Sequence, residues 1–583
     1  MKRNIRHIYT AVCLSALAIG ATSCLEEAFP ENGTQTADQI KHADKAALAN
    51  AIPAYFNTYS SDYDYDAGIP SFGVWRDAMS ADLPIYNTEY DFFNWFNEQL
   101  YLGNYEMQQL FWRRYYYLLQ KCNSTISVCD EDPESPDAPY MGMALTYRAW
   151  TYMDLMRTYE YRSTGVERLD QYAETYGLYG ITVPLVTEKT TEQESRDLPR
   201  APFTQMYRFI MNDLNRAERL LEHTQTVVYK NMVARGVVYG MKARLWLEMG
   251  SRFLNHQADL TLQLAAEDAQ EYADLEKLDI ASANDCFAKA AEYARKAISE
   301  GTYTPTTESQ WYDPTNGFNT PIPSWMLCVI INTNNGLAKT RTWQTMPSFL
   351  SPEPTYGLAY YTYEAYRMID ARLYSQMDKN DWRRDTWIDP SEVADKEAFD
   401  SKYSKATSMS YDDWAKYGAY TGFKFHPAQG VVSISTTGNA VSIPLMRIEE
   451  MYLIEAEALA HSQGPGAGKA ALESFMNTYR MKPGTTYTVR NSTLDGVVDA
   501  VFCQKRIELW GEGLILWDYS RLEKAIERGY PGTNHPQKYR YNSYPEKVAP
   551  WTIYYIPSDV HDLNPACKLN PDPSNAITDL WKE

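Results

Sequence analysis

Apolar residues recur at three- and four-residue intervals along most of the chain, the spacing that gathers them on one face of an α-helix. Tyr147, Ala149, Tyr152, Leu155, Met156 and Tyr159 trace one such stripe, and Val233, Val237, Met241, Leu245 and Met249 trace another in four-residue steps. The same periodicity predicts helices over 44–59, 104–128, 137–160, 203–224, 228–254, 284–300, 443–462, 467–480 and 495–526. Several form pairs of similar length with short links, the layout of helical hairpins stacked as tetratricopeptide-like units. Between 301 and 442 the pattern breaks, and Pro, Gly, Asn and Thr cluster with Tyr and Trp. This predicts a loop-rich insertion with a few strands, such as 327–332 and 431–436. The expected fold is therefore all-α: tetratricopeptide-like hairpins over 44–300, a loop-rich insertion over 301–442 and a second helical region over 443–583.

The first residues change the picture of where the chain works. Lys2, Arg3 and Arg6 precede an apolar run from Ile8 to Ile19. A bilayer crossing needs about 20 apolar residues, so this run is too short to span and has the build of a secretory signal. Ala21-Thr22-Ser23 stands directly before Cys24 and resembles a bacterial lipobox, with Ala21 where Leu is usual. On that reading residues 1–23 are a lipoprotein signal, Cys24 is lipidated, and the polar stretch 24–43 is a tether; several acyl chains anchor far better than one. An ordinary signal peptide cut nearby is the alternative. Glu26 and Glu27 resemble the acidic signal that sends Bacteroidota lipoproteins to the outer face. No later stretch is apolar enough to span a membrane.

Charge narrows the partners. The chain carries −20, which becomes −23 once Lys2, Arg3 and Arg6 are removed, and no basic run opposes it. Such a field repels a polyanion, so no nucleic-acid partner is expected. Cys122 and Cys129 sit seven apart in a predicted helix, a rise of about 10.5 Å, beyond disulfide reach. Without a Cys-x-x-Cys pair a zinc site is not expected, and buried free thiols are the simpler reading of the six cysteines that follow Cys24. Neither His-Glu-x-x-His nor Gly-x-Ser-x-Gly occurs. Residues 464–470 imitate a phosphate loop, but Gln463 and Ala470 break the motif and leave a helix-linking turn. Asp62, Asp64 and Asp66 alternate as in a calcium loop, but Gly68 is misplaced and no closing Glu follows. No metal, cofactor or catalytic residue is assigned.

Four segments, in order, carry a resemblance to one family. They are Ala144–Leu155 followed by Tyr179-Gly-Ile-Thr-Val-Pro184; Arg447-Ile-Glu-Glu450-Met-Tyr-Leu453 through Ala458; Arg506-Ile-Glu508-Leu-Trp-Gly511-Glu512-Gly513 with Trp517, Asp518 and Arg521; and Tyr555-Ile-Pro557 with Asn564-Pro565 and Asn570-Pro571. A weaker match, Asp381-Trp-Arg383-Arg384, lies between. This set resembles the SusD/RagB family of outer-membrane nutrient-binding lipoproteins. The resemblance implies a surface-exposed, lipid-anchored protein that binds oligosaccharide without chemistry and hands it to a SusC-like, TonB-dependent transporter. It also leaves a RagB-like peptide-binding role open, and a surface glycoside hydrolase needs only two carboxylates. Ile515 stands where the family has Arg, and Gln504 where it has an acid, which puts an internal salt-bridge network in question. The motifs themselves read as scaffold. Glu450 and Glu457 share a helix face with Arg447 a turn earlier, Ala456 and Ala458 admit a close neighbour helix, and Glu512 needs a counter-charge from Arg506 or Arg521.

A sugar ring stacks its apolar face on aromatic side chains and places its hydroxyls on fixed polar groups. Two aromatic stretches outside strong helix patterns, 72–97 and 303–361, supply both. The resemblance implies an arc of aromatics with an Arg and an Asn drawn from an early and a mid-chain segment. Arg76, Tyr86, Tyr90, Trp95 and Asn97 are the early candidates, and Trp311, Tyr312 and Trp343 the later ones. Trp112, Tyr116, Trp246 and Trp325 are expected in the core.

Overall fold

A computed structural model describes residues 44–59, 68–85, 106–224, 229–339, 367–407, 409–431, 434–574, 576 and 580. The longer elements are α1 (Lys45–Tyr55), α2 (Pro70–Met79), α3 (Glu106–Ile126), α4 (Ala138–Tyr159), α5 (Glu167–Tyr176), β1 (Ile181–Pro184), β2 (Arg200–Pro202), α6 (Phe203–Leu220), α7 (Arg235–Asn255), α8 (Gln257–Glu267), α9 (Ala283–Ser299), β3 (Trp325–Val329), β4 (Ile443–Arg447), α10 (Ile448–Ser462), α11 (Pro465–Tyr479), α12 (Leu494–Glu508) and α13 (Ile515–Arg521). The protein is mostly helical, and every long helix expected from periodicity is present.

Successive helices lie against one another in a stack: α1 on α3, α3 on α4, α4 on α6, α6 on α7, α7 on α9, α9 on α10, and α10 on α11 and α12. Position in the stack explains burial. The stripe Phe203, Met206, Tyr207, Ile210, Leu214 and Ala217 buries one side of α6. In α4, flanked on both sides, nearly every residue from Met141 to Tyr159 is buried. Helix α9 starts on a capping box, with the Ser282 hydroxyl accepting from Asp285 N–H and the Asp285 carboxylate accepting from Ser282 N–H. Ion pairs bridge neighbours: Arg148 of α4 to Asp213 of α6 at 2.7 Å, Arg244 of α7 to Glu450 of α10 at 2.5 Å, and Arg295 of α9 to Glu455 of α10 at 2.5 Å. Arg447 thus leaves Glu450 to Arg244. Small residues do admit a neighbour: a Cβ on Gly468 of α11 would lie 2.5 Å from the Ala456 carbonyl of α10.

Four boundaries differ from expectation; the helix expected from 228 begins only at Arg235, after the irregular residues 229–234. Residues 443–447 form β4, antiparallel to β3 with Val329 opposite Ile443 and Trp325 opposite Arg447, so α10 begins only at Ile448. A short apolar run fits either period, and here the partner strand decides. The described residues of 431–436 form no strand and lead into a helical turn, Ser435–Gly438. The predicted helix 495–526 breaks into α12 and α13 at Gly511 and Gly513, whose φ values are +78° and +73°. A Cβ on Gly513 would lie 2.2 Å from Gly73 Cα, so close backbone approach as well as φ demands glycine there. Gln463 and Gly464 link two helices, with Gly464 at φ +97°, and residues 465–470 already belong to α11 rather than to a turn. Cys122, Cys129, Cys286, Cys328, Cys503 and Cys567 are free thiols. Among the described residues no helix is long and apolar enough to cross a membrane. Cys24 and the Asp62–Asp66 run lie outside the described residues.

Candidate ligand-binding site

Of the eight candidate binding residues, Tyr86, Tyr90, Trp95, Asn97 and Trp343 lie in 86–105 and 340–366, outside the described residues. The other three are structural. Trp311 is fully buried; its Nε1 donates to Thr386 Oγ1 at 2.9 Å and its ring meets Phe318 and Trp382 edge-on. The buried Tyr312 donates its hydroxyl to the Trp382 carbonyl at 2.5 Å. Arg76 is buried on α2, donates Nε to Gly513 O at 3.0 Å and pairs with Asp154 at 3.0 Å beneath the Trp517 ring. None of the three presents a face to a ligand. An aromatic outside a periodic helix is not thereby exposed, because the loop-rich stretch packs its aromatics into the main core. Trp112, Trp246 and Trp325 are buried as expected, and Tyr116 is partly so.

The described residues that flank two of these aromatic stretches do meet. Ile85, the last described residue before 86–105, pairs in an antiparallel bridge with Arg367, the first after 340–366. Met368 N–H donates to the Pro84 carbonyl at 3.0 Å, and Met368 bridges onward to Thr421. Eight of the twenty residues 86–105 are aromatic (Tyr86, Tyr90, Phe92, Phe93, Trp95, Phe96, Tyr101, Tyr105), far above the 14% of the whole chain.

The chain leading into 86–105 is held carbonyl by carbonyl. The last carbonyls of a helix lack intrahelical partners, and side chains from the C-terminal region supply them beyond α2. Arg528 donates Nη2 to Ala78 O at 2.7 Å and Nε to Ser80 O at 3.0 Å. Trp551 Nε1 reaches Met79 O at 2.9 Å, His535 Nε2 lies 2.9 Å from Ala81 O, and Trp510 Nε1 reaches Asp82 O at 2.9 Å. The Asp82 carboxylate then takes Arg506 at 2.5 Å and the Tyr519 hydroxyl at 3.0 Å. Asp77 accepts from Gly513 N–H at 2.8 Å, and burial pushes its carboxyl up to about 8.

His535 makes this base sensitive to acid. Burial, then Arg528, pushes its imidazole down to about 3, so it is neutral in the fold. The unfolded chain takes up that proton near pH 6.5. Stability is therefore full above pH 6.5 and declines as pH falls toward the folded value, by about 1.4 kcal/mol per pH unit for this one group. Asp77, protonated in the fold below about 8, has the opposite sign over the same range. Comparison with His535→Gln, whose amide still donates to Ala81 O, isolates the histidine. Urea unfolding at pH 6.5, 5.5 and 4.5 should show the wild type losing stability faster than the variant; parallel curves would refute it.

Behind the base lies a buried ionic cluster. Arg383, Lys424, Arg447 and Arg480 face Asp381, Glu449, Glu508 and Glu512, all fully or almost fully inaccessible. Glu508 takes Arg383 at 2.7 Å, Arg480 at 2.7 Å and Arg447 at 3.1 Å; Glu512 takes Lys424 at 2.5 Å and Arg447 at 2.9 Å. The counter-charge of Glu512 is thus Lys424 and Arg447, since Arg506 serves Asp82 and Arg521 serves Glu457 at 2.5 Å. Four cations meet four anions, and Gln504 joins as a neutral acceptor, 2.5 Å from Arg383 Nη2. A second cluster balances Lys505 and Arg521 against Glu457 and Asp518. An acid at 504 would add a fifth anion to the first cluster, so Gln504 is consistent with its balance, while Ile515 is simply buried at the start of α13. Lys424 also donates to the Glu508 and Trp510 carbonyls at 2.8 Å, tying the cluster to the residue that holds Asp82.

Comparison with known proteins gives two family matches that together cover most of the chain: the SusD family over 286–571, and the family described as starch-binding, associating with outer membrane, over 74–247. Among solved structures, a SusD-like carbohydrate binding protein from Bacteroides vulgatus superposes with a TM-score of 0.62 at 18% identity, covering 93% of this chain and 98% of that one. A SusD superfamily protein from Bacteroides thetaiotaomicron gives 0.62 at 16% identity over 91% and 99%. Surface glycan-binding protein A from B. thetaiotaomicron, solved with laminarihexaose, gives 0.57 at 17% identity over 92% and 100%. No curated protein sequence matches.

Proposed function

The chain belongs to the SusD family, and from that premise we propose that it captures neutral oligosaccharide at the cell surface and passes it, uncleaved, to a SusC-like TonB-dependent transporter. Lipid on Cys24 anchors it to the outer membrane in this reading. Tyr86, Tyr90, Trp95 and Trp343 supply ring faces and Asn97 a polar partner, while Arg76, Trp311 and Tyr312 leave the binding set. One observation carries the proposal: Ile85 and Arg367, which flank two aromatic-rich stretches of sequence, pair on one densely hydrogen-bonded base. Binding residues on loops fixed by a rigid scaffold are a common arrangement, and rigid aromatics suit shallow, wet sites.

Trp95→Ala should weaken oligosaccharide binding by about 2 kcal/mol, roughly thirtyfold, the scale of a central aromatic contact. Calorimetry with a glycan panel that includes laminarihexaose, the sugar held by the B. thetaiotaomicron relative, measures this directly. Unchanged affinity would remove Trp95 from the site. Chromatography of the same mixtures separates the rivals: released products indicate a hydrolase, and retention of peptides but no glycan indicates a RagB-like role.

A further inference from the structure

An open cavity of about 480 Å³ lies away from that base, among the 161–163 turn, β1, the start of α6, α7–α8 and the loop after α13. Its size falls within the roughly 300–1,000 Å³ of small-molecule sites. Tyr179, 46% exposed, forms an aromatic wall and is braced edge-on by buried Tyr161 at 5.5 Å; exposed Leu262 stands on the rim. Below them Arg252 lies 3.6 Å over the Phe203 ring and pairs with Asp259 at 2.7 Å. Glu523 is fixed by Arg162 at 2.5 Å and His256 at 2.6 Å, both on the same carboxylate oxygen. Glu523 and Glu546, both lining the cavity, are non-glycine residues at positive φ, +52° and +57°. Such backbone strain persists where the surroundings impose it and gathers at functional sites.

The charges of the lining decide the ligand class. Arg162, Arg252 and Lys547 offset Asp259, Glu523 and Glu546, so the cavity has no net sign to attract an ion. It offers fixed donors, fixed acceptors and one ring face, the set that matches a polyhydroxylated ring with an apolar side. We propose that this cavity is a second carbohydrate site, stacking a neutral sugar on Tyr179 independently of residues 86–105. The proposal rests on the glycan-binding reading but uses none of its residues.

The test uses the full-length chain and five probes: laminarihexaose, maltohexaose, xylohexaose, mannohexaose and galactohexaose. Saturation-transfer NMR and calorimetry are run on the wild type, Trp95→Ala, Tyr179→Ala, the double alanine variant and Trp95→Ala with Tyr179→Phe. Tyr179 is surface-exposed, so its loss leaves the fold intact, checked by circular dichroism. The expected result is residual binding of at least one probe to Trp95→Ala that falls tenfold or more in the double variant and survives in Trp95→Ala with Tyr179→Phe. If Trp95→Ala alone abolishes all binding, the second site is overturned and the main reading stands. Residual binding indifferent to Tyr179→Ala overturns it equally. Binding lost with Tyr179→Ala but untouched by Trp95→Ala supports the cavity and overturns the placement of the main site. A wild type that retains no probe overturns both.

Discussion

Trp311→Ala lowers the stability of the protein by about 3–5 kcal/mol, the range for deleting a large buried ring. Trp311 has no exposed surface, and its neighbours Phe318, Trp382 and Lys424 come from separate parts of the insertion and cannot all close the void. The Thr386 hydroxyl loses its donor, adding about 1 kcal/mol. Trp311→Phe keeps most of the packing and drops only the hydrogen bond, so it should cost much less. Urea unfolding of both variants measures the difference. The same experiment on Trp95→Ala gives the contrast: binding falls while the unfolding midpoint stays. A Trp311→Ala protein of unchanged midpoint that binds no sugar would return Trp311 to the ligand site.

Glu508→Ala has a comparable effect for a different reason. Three arginines share this carboxylate, and removing it leaves four buried cations facing three anions. Coulombic attraction of Arg480, Arg447 and Arg383, acting against burial, holds the Glu508 carboxyl well below the usual range, so it is ionised at every working pH. Breaking a buried pair by removing one partner costs about 3–5 kcal/mol, mostly from the charge left unmatched. The effect should reach the candidate site, because the Lys424 ammonium that bonds Glu508 O also bonds Trp510 O, and Trp510 holds Asp82. Amide exchange over residues 78–85 should therefore speed up in the variant relative to α3 and α4. Uniform exchange across all three regions would show that cluster and base are energetically independent.

Periodicity found the long helices because each buries one stripe, and a stripe is visible in a linear sequence. It missed α2 for the same reason: nine of its ten residues are buried, so no polar face alternates with the apolar one. It ran β4 into α10 because Ile443–Arg447 is apolar enough for either period, and only β3 settles the choice. Family motifs located the ionic scaffold but gave Glu512 the wrong partners, since Lys424 lies in the insertion and no motif points to it. For the site, aromatic density pointed to 72–97 and 303–361 alike, and the candidates there that the structure describes, Arg76, Trp311 and Tyr312, turned out to be core. Nothing in local composition separates an aromatic that fills an interior from one that faces water; the hydrogen-bond partner, Thr386 or the Trp382 carbonyl, is remote in sequence. The cavity beside Tyr179 left no sequence signal, because its walls come from six separate stretches.

The passage of the stack from α9 to α10 bears on how the chain reaches its native state. Helices α7 and α9 are joined by the 27 residues 256–282, but α9 and α10 are separated by the 148 residues 300–447. Bringing the ends of the longer connection together carries an entropic penalty of about 4 kcal/mol, some 1.5 kcal/mol above the shorter one. Assembly is thus expected in two kinetic phases, a rapid N-terminal one and a slower closure. Until that closure, the side of α9 meant for α10 is left open to collapse or aggregation, the interval in which a folding helper would matter most.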